Sequence, residues 1–141
     1  MKWSMAMHHA KCLFCERGDK TKHRIIAENE HAYVRWDNFP VSDGHIEVVP
    51  IRHVVSFFDL TEAEVLSMYA LLKVARRTVI ELYPIINRVP DGYTIGLNEG
   101  EAAGRTVHHV HMHLIPRYWG DVPNPRGGIR NIIPDKGGYK E

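Results

Sequence analysis

The sequence predicts an α+β domain in which one five-stranded antiparallel sheet packs against a single main helix. Three observations predict it. One stretch, about residues 61–83, repeats its apolar residues at helical spacing. Five short runs rich in branched and aromatic residues flank it. The turns before the second and third runs are short, which suits antiparallel pairing.

Ile25 to Glu28 is the first run, and Ala32 to Trp36 the second. Asp37-Asn38-Phe39-Pro40 and Ser42-Asp43-Gly44 carry turn chemistry. His45 to Val49 is the third run, closed by Pro50. Thr61 is a good helix N-cap, and Glu64 stands at capping-box spacing. Leu60 and Val65 are placed for a hydrophobic staple. Val65, Met68, Leu72, Ala75, Val79 and Leu82 form the stripe expected to face the core. Pro84 is expected to end the helix, because its ring and missing donor break the ladder. Tyr93 to Leu97 is the fourth run, Gly100 to Gly104 a glycine loop, and Val107 to Ile115 the fifth run, stopped by Pro116.

The chain has 141 residues, 44% of them apolar and 25% charged, which is ordinary for one globular domain. Residues 1–141 are read as that domain, with an N-terminal extension over 1–11 and a C-terminal tail over 117–141. A net charge of +1 gives no electrostatic footprint for nucleic acid or an anionic membrane. No apolar run approaches a membrane span, and the N-terminus lacks a signal-peptide core. With two cysteines and no leader, the cytoplasm is the expected compartment.

The most informative stretch is His108-His109-Val110-His111-Met112-His113-Leu114-Ile115. Side chains alternate along a strand, so His109, His111 and His113 are expected on one face and Val110, Met112 and Leu114 on the other. A solvated polar face explains one histidine better than three. A metal site and nucleophilic catalysis are the other readings.

His109-Val110-His111-Met112-His113-Leu114-Ile115 resembles the signature of the histidine-triad (HIT) nucleotide hydrolases and transferases. Cys12-Leu13-Phe14-Cys15, Gly44 to Pro50, Arg52-His53, Leu97 to Gly100 and Ala103-Gly104 follow in that family's order, so the resemblance covers about residues 12 to 118. The tail, with Gly120-Asp121 and Pro125-Arg126-Gly127-Gly128, is similar to a bacterial and archaeal branch called diadenosine tetraphosphate hydrolases. The resemblance implies the HIT fold and a homodimer. It implies His111 as the nucleophile on an α-phosphorus, forming a nucleotidyl-histidine that water releases. His113 is then placed to donate to the phosphate, with Asn98 and the loop containing Gly104. His45 is expected to support proton transfer, Thr106 to touch the leaving group, and Asp37 to accept the ribose hydroxyls. Many relatives carry Gln where this chain has Arg105, which leaves that residue between a phosphate contact and a solvent-facing arginine. Apolar pockets around Ile25, Phe39 and Ile46 are expected to take most purines.

Cys12-x-x-Cys15 alone is compatible with a packed pair, a redox pair or a metal site. The resemblance implies a structural Zn²⁺ closed by His53 and His109, with His23 or His31 as substitutes. The function expected is a hydrolase of dinucleoside polyphosphates or nucleoside phosphoramidates. Its rivals are a nucleotidyltransferase or phosphorylase on the same fold, and a zinc-stabilised nucleotide-binding module.

Overall fold

The structure is a computed structural model that describes residues 11–82, 85 and 87–139. Most of the expected N-terminal extension and the helix stop at Pro84 lie outside those residues. Five strands form one antiparallel sheet: β1 (Ile25–Glu28), β2 (Ala32–Trp36), β3 (Ile46–Pro50), β4 (Gly92–Gly96) and β5 (Met112–Arg117). Their spatial order is β1-β2-β3-β5-β4. The helix α1 (Glu62–Glu81) crosses one face and buries Ala32, Val34, Ile46, Val48 and Leu114 beneath Met68, Leu71, Ala75 and Val79.

The capping box at Thr61 and Glu64 forms as expected, with Thr61 Oγ1 accepting the Glu64 N–H and the Glu64 carboxylate accepting the Thr61 N–H. The buried stripe differs from the expected one at two places: Leu71 is buried where Leu72 was expected and Leu72 only partly so, and Glu64 takes the place of Val65. Glu64 is buried, because its carboxylate also accepts from the Arg52 guanidinium at 2.7 and 3.1 Å. Val65 is turned outward and 41% exposed, so Leu60 reaches the core without it.

The fifth strand also differs. It begins at Met112, not Val107, and runs through Pro116 to Arg117. Before Met112 the backbone pairs elsewhere: the Val110 N–H donates to the Val54 carbonyl at 2.8 Å. Pro116 is tolerated because β3 pairs with β5 only from Met112 to Leu114. The missing N–H therefore falls beyond the end of β3, on the side where the Pro116 carbonyl accepts from Ser42 Oγ.

The face of the sheet away from α1 carries charged and imidazole side chains. Arg35, Glu47 and His113 are Cα partners across β2, β3 and β5, with Gly96 of β4 opposite His113. Strand alternation puts these side chains in one cross-strand row. Among the described residues, no helix is long and apolar enough to cross a membrane.

Candidate active site and metal centre

Two sites meet at the start of β5. The first gathers Cys12, Cys15, His53 and His109, whose ligand atoms all lie within 4.8 Å of one another. Cys12 Sγ is 3.4 Å and Cys15 Sγ 3.6 Å from His109 Nδ1, and Cys15 Sγ is 3.1 Å from His53 Nδ1. A tetrahedron with metal–ligand bonds of about 2.0–2.3 Å has edges of about 3.5 Å, so these spacings fit one zinc ion. His109 Nε2 lies 2.8 Å from the Pro50 carbonyl. A carbonyl only accepts, so Nε2 carries the proton and Nδ1 presents its lone pair to the sulfurs. Burial and the neighbouring Cys12 push the Cys15 thiol up to about 12, the state a bound cation reverses. The donor set is compatible with zinc. His23 instead faces the Leu13 carbonyl, at 2.8 Å, and His31 lies 3.7 Å from Glu30. Cys15 sits in a 3-10 turn, Leu13–Glu16, rather than at the start of an α-helix.

The expected one-faced row of three histidines is therefore split. His109 leaves it for the cysteines, pulled by contacts 94 and 97 residues away in sequence. His111 and His113 remain together, with ring centroids 5.2 Å apart. His109 keeps a hold on its neighbour through the main chain: its carbonyl lies 2.8 Å from His111 Nδ1. That contact fixes the His111 proton on Nδ1 and leaves Nε2 with a lone pair. Phe14 packs on the ring at a centroid distance of 4.8 Å.

A second chain of contacts fixes His113. The Val41 N–H donates to His45 Nδ1 at 3.2 Å, so the His45 proton is on Nε2. His45 Nε2 lies 2.8 Å from His113 Nδ1 and 3.3 Å from Asp37 Oδ2. Donation along the shorter contact leaves His113 with its own proton on Nε2. One backbone amide thus sets the tautomer of two imidazoles.

His111 and His113 line a cleft of about 320 Å³ together with Asp37, Asn98, Gly104 and Thr106. Of the Asp37 oxygens, Oδ1 accepts the Phe39 N–H at 2.7 Å, and Oδ2 is 3.6 Å from His113 Nδ1. In the glycine loop, the N–H groups of Ala103, Gly104 and Arg105 are spent on the Gly100 and Glu101 carbonyls. Arg105 neither faces solvent nor lines the cleft: its side chain is 11% exposed, with Nη1 on the Val55 carbonyl at 2.9 Å and 3.8 Å from Glu99. Of the residues expected around the base, Phe39 lines the cleft, Ile46 lies in the core under α1, and Ile25 lies on β1. Ile46 alternates with His45 and Glu47, so it faces the other way.

Sequence reasoning missed Phe14, Arg35 and Glu47, which also line the cleft. Arg35 and Glu47 form an ion pair with side chains only 1% and 6% exposed. Burial and the Asp37 charge push the Glu47 carboxyl up to about 7, against the pull of Arg35. Charges at alternating positions in otherwise apolar strands were the available signal.

Burial holds His45 and His111 below the ordinary histidine range and, with the nearby His111 and His45 rings, brings His113 to about 4. All three are neutral at pH 7. The unfolded chain takes up these protons as pH falls through about 6.5, while folded His113 waits until about 4. The unfolded state then binds more protons, so stability falls on acidification from about 6.5 to about 4 and is full above it. The melting temperature is expected to follow that course, and His113→Asn to lose less of it. Equal acid loss in both proteins would contradict the shift.

The fold and site define a class: an open antiparallel sheet that presents a neutral imidazole to a cleft beside a Cys₂His₂ cluster. The chain belongs to the HIT family, since residues 19–120 match the HIT domain. A HIT-like protein of Mycoplasma genitalium is 36% identical over 111 residues, covering 77% of this chain and 74% of the relative. AP-4-A phosphorylase of Mycobacterium tuberculosis is 34% identical over 99 residues, 70% of this chain and 48% of that enzyme. The crystal structure of a Zn-bound histidine triad family protein from Mycobacterium smegmatis superposes with a TM-score of 0.63 at 29% identity, covering 80% and 79% of the two chains. Members of this family process nucleotides.

Proposed function

We propose that the protein is a nucleotide hydrolase that acts at an α-phosphate through a nucleotidyl-His111 intermediate. The observation that carries this reading is the His111 ring, whose Nδ1–H is held by the His109 carbonyl and whose Nε2 is left free beside the cleft. Nε2 attacks the α-phosphorus; a P–N bond forms while the bond to the leaving group breaks, its electron pair departing with that group. His113 Nε2–H and Asn98 supply donors to the oxygens around phosphorus, and the Thr106 hydroxyl supplies one to the leaving group. Water then attacks the same phosphorus. The P–N bond breaks, its electrons return to Nε2, the nucleoside monophosphate leaves and the surplus proton passes to solvent. Splitting one displacement into two is the gain of a covalent route.

His45 holds the His113 tautomer, and the Asp37 carboxylate, with oxygens on two sides, suits a ribose diol. Gly104 lets the loop approach the nucleotide with no side chain in the way, and Arg105 supplies a positive charge behind His111. Zn²⁺ on Cys12, Cys15, His53 and His109 supplies a structural clamp, not a reacting group. A homodimer is part of the same reading; Val65, Leu66 and Tyr69 on α1 offer exposed apolar surface for it.

A second reading, a phosphorylase, is favoured by the likeness to AP-4-A phosphorylase. Product analysis separates the two. With diadenosine tetraphosphate, the hydrolase releases AMP and ATP whether or not inorganic phosphate is present. ADP replacing AMP when phosphate is added would make the phosphorylase correct. No turnover of that substrate, of an adenosine phosphoramidate or of AMP-lysine would leave only a nucleotide-binding module.

A further inference from the structure

The cleft holds a charge pair that the chemistry at His111 does not use. Apolar side chains were expected around the base, yet Arg35 of β2 and Glu47 of β3 stand in the lining as a buried ion pair. Two of the three guanidinium nitrogens are engaged. Nη1 donates to Glu47 Oε1, and Nη2 donates to the Lys22 carbonyl at 3.1 Å. The third, Nε, is buried and has no hydrogen-bond partner among the described residues. Glu47 accepts from Arg35 through one oxygen, and its second oxygen adds acceptor capacity.

A buried ion pair gains little stability over an apolar pair of the same size, and an unmatched buried N–H is a further cost. Packing alone does not account for the pair. A spare donor beside a spare acceptor, both lining a cleft, is instead the pattern of a site that reads a polar edge.

The pair also lies where a nucleotide would put its base. Arg35, Glu47 and His113 are Cα partners on three neighbouring strands, so Arg35 stands two strand spacings, about 9.6 Å, from His113. Asp37 follows Arg35 by two residues. Its N–H still donates to the His45 carbonyl at 3.1 Å, so it keeps the alternation of β2 and shares the face of Arg35. Phe14 joins the two ends of the cleft, its ring 4.8 Å from that of His111 and 5.4 Å from the Arg35 guanidinium carbon. With the α-phosphate at His111 and the ribose hydroxyls at Asp37, the β2 end of the cleft is left for the base. Phe14 and Phe39 line it and offer aromatic faces for stacking.

We propose that Arg35 and Glu47 select the nucleobase by its hydrogen-bonding edge, with Arg35 Nε–H donating to an acceptor on the base and the Glu47 carboxylate accepting from the donor beside it. The proposal rests on the reading of the cleft as a nucleotide site and adds its specificity. Adenine carries the pattern in N1 and its 6-amino group, and guanine carries it in O6 and N1–H. Unsubstituted purine has the acceptor alone. A purely apolar seat would not tell these bases apart.

Calorimetric titration of AMP and of purine riboside 5′-monophosphate, which lacks only the 6-amino group, tests the selection. The wild type is expected to bind AMP at least about tenfold more tightly, the scale of one hydrogen bond to a charged group. Arg35→Met combined with Glu47→Leu removes both charges together, so neither is left buried and alone. In that double variant the two nucleotides are expected to bind within about twofold of each other. Glu47→Gln keeps the shape and removes only the charge, and it is expected to cut the preference for AMP at least about threefold. Loosening of the cleft would weaken both nucleotides and leave their ratio unchanged. A wild type that binds the two equally, or a preference that persists in both variants, would overturn the proposal. A wild type that binds neither would overturn the nucleotide reading beneath it as well.

Discussion

Replacing His111 with asparagine is expected to slow turnover at least about a thousandfold, roughly 4 kcal/mol in the barrier. AMP affinity is expected to stay within a few-fold. Asparagine keeps a donor that can reach the His109 carbonyl, yet it has no lone pair able to form the phosphoramidate bond. The binding groups His113, Asn98 and Thr106 come from β5 and from two other segments, so they keep their places. Steady-state kinetics beside an AMP titration separates the two effects. An activity loss matched by an equal loss of AMP binding would assign His111 to binding rather than to the chemical step.

The second large effect concerns the metal centre. About one zinc per chain is expected in the purified protein, and Cys15→Ser is expected to lose it. Structural zinc is worth on the order of 10 kcal/mol in small metal-dependent folds, far more than one surface contact. Here the cluster ties the Leu13–Glu16 turn to the approach of β5. Its loss is expected to lower the melting temperature by about 10 °C or more, on a scale of about 2–4 °C per kcal/mol for a chain of this size. Turnover at a temperature where the variant remains folded is expected to fall much less than in His111→Asn. Metal analysis and a thermal melt check this. A metal-free wild type with the same melting temperature as the variant would remove zinc from the account. Activity that returns in proportion to added metal would instead place a metal in the chemistry.

The parts of the fold written in local periodicity were legible in the sequence. β1, β2 and β3 fall where branched and aromatic runs lie, and the capping box fixed the start of α1. At its start the helical face drifted by one position because Glu64 is buried, and that depends on Arg52, a residue outside the helix. The first half of the fifth run was not legible. Alternation predicts a straight strand from Val107, but His109 answers to Cys12 and Cys15, and Val110 to Val54. Contacts that distant in sequence leave no periodic trace. Arg35 and Glu47 escaped for a related reason: their pairing depends on strand register, which a single strand does not reveal. The residues of the cleft were named mainly through the family resemblance. Residue chemistry alone singled out the histidine run and the cysteine pair, because those side chains are rare in such density.

The central claim is a covalent bond between His111 Nε2 and phosphorus. Mass spectrometry tests it most directly, on wild-type protein mixed with nucleotide labelled at the α-phosphate and quenched without acid, which would cleave a P–N bond. The account predicts one nucleoside monophosphate adduct per chain, on the peptide that carries His111 and assigned by fragmentation to that ring, with none on His109. A chain that turns over substrate with no adduct, or with the adduct on another residue, would contradict it.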